Sequence, residues 1–169
     1  MSERNGLPET FNENDINVLF PKSEVTDTVQ LANSSRACAV AYLNAGDILF
    51  AQIKINSTLV LPCTINAAFS CELFLKSIVY SNMAQYKPIK GHNLEDLLLM
   101  LPCDTKNAIL DIINKHDTNN YFKAFFDENK NAFVDLRYFY EKGRSEFFNP
   151  EGLLTLARVL NDYIDNTHK

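Results

Sequence analysis

The chain has 169 residues, 46% of them hydrophobic and 22% charged, with a formal net charge of −5. That length predicts a single domain with a core of its own, and the sequence shows no apolar run of membrane-spanning length, no secretory start and no basic surplus of the kind that non-specific nucleic-acid binding uses, so a cytoplasmic protein is expected. Twelve Phe and seven Tyr against five Gly and no Trp favour an aromatic-packed, helix-rich interior.

Residues 1–26 mix Glu, Asn, Pro and Lys without sustained periodicity and read as an arm, partly disordered or docked through Val18, Leu19 and Phe20. The folded domain is expected over residues 27–169. Its first helix starts at Thr26 or Asp27, either of which can cap it, and runs to about Ile55 with a stripe of Ala37, Ala41, Ala45, Ile48 and Leu49. Gly46 weakens its middle by about 1 kcal/mol relative to Ala and allows a bend there. A turn over residues 56–58 leads to a second helix from near Pro62 to about Met83.

The stretch 85–92 reads as a loop, because Pro88 holds Lys87 extended and Gly91 can supply any backbone geometry that precedes the next helix. Asn93 is the N-cap of that helix, Glu95 and Asp96 complement its dipole, residues 97–101 supply its buried side, and Pro102 stops it. A short helix follows from Asp104 or Thr105 to about Lys115. Over residues 121–143 the stripe Phe122, Phe126, Phe133, Leu136 and Tyr140 favours helix, although 132–140 taken alone has strand-like aromatic character. Asn149, Pro150 and Glu151 open a final helix with Leu153, Leu156, Ala157, Leu160 and Ile164 on one stripe. The fold class is therefore all-α.

Cys38, Cys63, Cys71 and Cys103 lack zinc-type spacing, so neither a metal, a disulfide nor a cofactor is expected, and three of them, in apolar helical context, read as small hydrophobes.

The candidate site residues are polar groups in apolar settings. In the second helix Phe69, Glu72, Leu73, Lys76 and Tyr80 share one face, while Ala68, Cys71, Leu75, Ile78 and Val79 cover much of the other. Glu72 and Lys76 are thus an i,i+4 pair in an otherwise buried surface, either lining a ligand groove or fixing the register of the bundle. His92 stands beside a helix N-terminus with Lys87 and Lys90 close in sequence; it either meets a phosphate or packs its ring and closes the loop with one hydrogen bond. Arg137, Tyr138, Glu141, Lys142 and Arg144 form the densest polar cluster in an aromatic setting, suited to phosphate binding and base stacking or to an intrahelical Arg137–Glu141 pair.

Three of these stretches, CELFLKSI at 71–78, GHNLEDLL at 91–98 and DLRYFYEKG at 135–143, resemble a HEPN domain (higher eukaryotes and prokaryotes nucleotide-binding). The resemblance covers roughly residues 27–165. It implies an up-and-down bundle of four to five main helices that commonly dimerises and serves prokaryotic defence or regulatory systems. Many members of that family cut RNA without a metal, using an Arg followed after four to six residues by a His. Beyond Arg137 those positions hold Lys142, Gly143 and Arg144, so the His is absent. The resemblance then implies a homodimeric module that binds RNA, a nucleotide or a protein partner without catalysis. The alternative is a metal-independent RNase with an altered site built from His92, Lys76 and Arg137.

Overall fold

The computed structural model describes residues 27–116, 128–137 and 149–167, apart from the side chains of Asn114, His116 and Arg137. The expected arm over residues 1–26 lies outside the described residues, as do Phe122, Phe126 and Tyr140. Among the described residues there is no strand, and the fold is all-α: α1 Thr28–Gln52, α2 Val60–Ser81, α3 Leu94–Leu99, α4 Cys103–His116, α5 Ala132–Arg137 and α6 Pro150–Thr167. A 3-10 turn over Ser57–Leu59 leads into α2.

Helix starts follow the capping residues. The Asp27 carboxylate accepts from the Val29 N–H at 2.9 Å, the Asn93 side chain from the N–H groups of Glu95 and Asp96, and the Asn149 side chain from the Gly152 N–H at 3.0 Å. Each satisfies a backbone donor that the helix itself leaves without a partner.

Helix α2 is the axis of the bundle, with α1, α6, α5 and α3 packed around it. Three small side chains spaced one heptad apart on α2 each donate to a backbone carbonyl of α1: Cys63 to Gly46 at 3.4 Å, Ser70 to Ala39 at 2.8 Å and Ser77 to Ala32 at 2.8 Å. The acceptors descend by the same heptad, so α1 and α2 run antiparallel, in register, along a seam of small residues. A helix carbonyl has a second lone pair, and only short side chains let the two backbones come near enough to use it. Cys71 makes the equivalent contact on the other side of α2, donating to the Leu153 carbonyl of α6 at 3.2 Å.

This seam corrects the expected stripe on α1. The residues that α1 buries are Ala32, Ala39, Leu43 and Gly46, whereas Ile48 is 69% exposed and Ala41 is also exposed. Helix α1 continues through Gly46; a Cβ there would meet the Leu154 side chain at 2.8 Å, so the glycine is a contact with α6. Two ion pairs, Arg36 with Asp165 and Arg158 with Asp47, join α1 to α6 along their antiparallel lengths.

Burial of residues 97–101 is also narrower than expected. Leu97 and Leu101 are buried, while Leu99 and Met100 are exposed, because α3 is a single short stretch that turns one face to the core. On α6 the expected stripe is buried throughout, with Leu154 and Val159 added. The expectation that no run is long enough to span a membrane needs correction as well: the stretch Ser57–Ser81 meets that test by length and composition. Its apolarity serves packing, since it supplies Phe74, Leu75, Ile78 and Val79 to the common core and carries the charged pair Glu72 and Lys76.

The cysteines test this packing. All four are free thiols; Cys63 and Cys71 are buried, Cys38 is half-buried and Cys103 is exposed. Burial pushes the Cys71 thiol far above its ordinary value, and also raises Cys38 and Cys63. The thiolate is the nucleophile. Alkylation at neutral pH, mapped by mass spectrometry, is therefore expected to label Cys103 first, Cys38 slowly, and Cys63 and Cys71 only on unfolding; early labelling of Cys71 would contradict the packing of α2 against α6.

Candidate functional site

The face of α2 that carries Glu72 is covered by α5 and by the irregular stretch before α3. Glu72 is completely buried. A carboxylate without water needs donors, and two converge on one of its oxygens: Lys76 Nζ at 2.7 Å, from one turn along the same helix, and His92 Nδ1 at 2.9 Å, from twenty residues away in sequence. Its other oxygen, Oε2, is buried with no hydrogen-bond partner. Both ammonium and imidazole lie nearer solvent, with side chains 16% and 46% exposed. The pair read from the sequence as groove or register device is thus a three-membered cluster.

His92 is held in place by its two neighbours. Gly91 has φ 99°, a left-handed conformation that a side chain would strain, and nothing lies within 4 Å of where its Cβ would be. The glycine is therefore required by the backbone rather than by space. Asn93 caps α3 and donates from its amide to Asn131 Oδ1 at 2.9 Å, while the Leu94 N–H donates to the Lys130 carbonyl at 2.9 Å and Lys130 Nζ pairs with Glu95 at 2.8 Å. These bonds fasten the start of α3 to the segment that opens α5.

An aromatic series completes the wall. Tyr42 of α1 meets Phe69 edge-on at 4.6 Å, Phe69 stacks on Phe133 of α5 at 4.5 Å, and Phe133 meets the His92 ring at 5.5 Å. Such aromatic pairs add about 0.5–1.5 kcal/mol each beyond area burial. Phe69 was visible in the sequence on the face of Glu72; its partner Phe133, sixty-four residues on, had no local signal.

Glu72, Lys76 and His92 are brought together. Arg137 ends α5 one helical turn after Phe133, so the fold carries the His92 loop to the helix that ends in this arginine. Tyr138, Glu141, Lys142 and Arg144 lie outside the described residues. Lys87 and Lys90 are exposed on the stretch before His92. Chemically the cluster offers the spare N–H groups of Lys76 and the second nitrogen of His92. Among the described residues no three His, Cys, Asp or Glu side chains gather as metal ligands. A separate cavity of about 160 Å³, lined by Ile78, Ser81, Asn82, Tyr163, Ile164 and Thr167, lies between the last turns of α2 and α6.

Comparison with protein-family models, with curated proteins and with solved structures finds no match.

The energetics of the cluster give a test. Lys76→Ala removes one of two donors from a carboxylate that stays buried, at an expected cost of about 2–4 kcal/mol, near the low end because Lys76 keeps some contact with water. Replacing Glu72 and Lys76 together by Met removes the buried charge and is expected to cost less than the single change. Denaturant titrations that rank the two the other way round would contradict the buried-acid reading.

Proposed function

We propose that this chain is a HEPN-like helical module that binds RNA or a nucleotide without cutting it, in the kind of prokaryotic defence or regulatory system that the resemblance implies. One observation carries the reading: two of the stretches on which the resemblance rests, distant in sequence, meet at one patch. CELFLKSI supplies Glu72 and Lys76 and GHNLEDLL supplies His92, while α5, the helix in which DLRYFYEKG begins, carries Phe133 against His92. Lys87 and Lys90, on the stretch that leads to His92, are exposed cations suited to a phosphate. Because the chain as a whole is acidic, affinity comes from this local patch and falls with added salt.

Absence of cleavage follows from the residues after Arg137. An arginine stabilises phosphate charge and does not exchange a proton near neutral pH, and Lys142 or Arg144 in place of the motif His shares that limit. A second reading, a metal-independent RNase with His92 as its base, is favoured by the His92–Glu72 contact, since a carboxylate on one ring nitrogen orients an imidazole for proton transfer at the other.

The module also works as a two-fold dimer in this reading. The outer face of α1 supports it: both charged residues of that helix, Arg36 and Asp47, are tied to α6, so a second copy can pack there without stripping water from a charge.

Sedimentation of the purified chain at tens of micromolar with a fluorescent single-stranded RNA, in a chelating buffer, tests these statements together. Expected are twice the chain mass, co-sedimenting label, weaker binding after Lys87→Ala with Lys90→Ala, and intact RNA. Failure to bind the label would reject the proposed function; RNA cleavage lost in His92→Ala would replace it by the second reading; the mass of a single chain would reject the dimer.

A further inference from the structure

The hydrogen bond between His92 and Glu72 fixes more than a side-chain position. An ionised carboxylate only accepts, and Lys76 Nζ already donates to the same oxygen at 2.7 Å, so the proton of the 2.9 Å contact lies on His92 Nδ1. A neutral imidazole with its proton on Nδ1 has a lone pair on Nε2. That nitrogen has no hydrogen-bond partner among the described residues, and nearly half of the side chain is exposed. The bond to Glu72 and the contact with Phe133 at 5.5 Å favour this orientation of the ring.

The patch therefore combines several donors with an acceptor at His92 Nε2. Lys76 keeps N–H groups beyond the one spent on Glu72, and Lys87 and Lys90 are exposed on the stretch that leads to His92. A phosphate satisfies the donors and offers nothing to the acceptor. A ligand with a hydroxyl beside its phosphate satisfies both.

We infer that His92 Nε2 is the acceptor for a ligand hydroxyl and makes the patch selective for ribonucleotides over deoxyribonucleotides. The inference rests on the reading of the patch as a nucleotide- or RNA-binding site. In it the phosphate lies against the lysines, the 2′-hydroxyl donates to Nε2, and Glu72 acts as a positioning residue that never meets the ligand. The 2′-hydroxyl is the one group by which a protein tells the two sugars apart at a single position.

The test compares a fluorescent oligouridylate with the oligodeoxyuridylate of the same length, which differ at the sugar alone, by anisotropy on the wild-type chain and on His92→Phe. Phenylalanine keeps a ring against Phe133 and removes the acceptor. One hydrogen bond is worth about a three- to tenfold difference in affinity, so the wild type is expected to prefer the ribo-oligomer by that factor. In His92→Phe the preference is expected to fall to about unity. Equal affinities on the wild type would overturn the inference and leave the proposed function standing, whereas binding of neither oligomer would remove both. A preference that survives in folded His92→Phe would assign selectivity to another residue. The wild-type comparison needs no variant, so the inference remains testable if His92→Phe does not fold.

Discussion

A carboxylate taken wholly out of water constrains everything near it. Glu72 sits at the middle of α2, at 0% exposure, and the desolvation of its charge is offset only if donors reach it from fixed directions. One donor is cheap, because Lys76 lies one turn along the same helix. The other must be carried in from outside α2, and much of the local structure serves that end. Gly91 turns the chain left-handed, Asn93 caps the helix that follows, and Lys130 and Asn131 anchor the start of that helix to the segment before α5. Replacing Glu72 by an apolar residue would simplify the core and remove the reason for His92 to be where it is.

The opposite side of α2 obeys a different constraint, that of distance. Cys63, Ser70 and Ser77 reach the carbonyls of Gly46, Ala39 and Ala32 only because every residue in the seam is small, and the heptad spacing on both helices keeps the contact in register over about four turns. Close approach to α1 leaves Ser and Cys hydroxyl and thiol groups satisfied inside an apolar bundle, which a looser crossing with larger side chains would not. The two sides of α2 thus divide the work: one fixes the frame, and the other holds the patch that meets solvent.

How much of this the sequence discloses depends on whether the signal is local. Asp27, Asn93 and Asn149 mark helix starts because a cap acts on backbone groups two or three residues away, and the stripe on α6 is read correctly because one face alone is apolar. On α1 that rule fails. Alanines occur all round the helix, so periodicity does not distinguish the face of Ala32, Ala39 and Gly46 from that of Ala37, Ala41 and Ala45; the heptad match to Cys63, Ser70 and Ser77 on the next helix was the available signal. Leu99 and Met100 mislead for a related reason, since a run of five apolar residues on a helix cannot all face one side. Of the patch, the Glu72–Lys76 pair was legible at i,i+4 spacing. Its contact with His92, and that of Phe69 with Phe133, are made by the fold and have no trace in local spacing.

Since both the frame of the patch and the selectivity proposed for it depend on Glu72 receiving the proton-bearing nitrogen of His92, the most direct measurement is the tautomer of that ring. Long-range nitrogen–proton correlation spectra of the ¹⁵N-histidine-labelled chain, recorded where the imidazole is neutral, distinguish a proton on Nδ1 from one on Nε2. The expected result is the Nδ1–H form in the wild type, giving way to a mixture in which Nε2–H is prominent when Glu72 is replaced by Met. A wild-type ring protonated on Nε2, or a tautomer indifferent to the loss of Glu72, would contradict the central role given to the buried carboxylate.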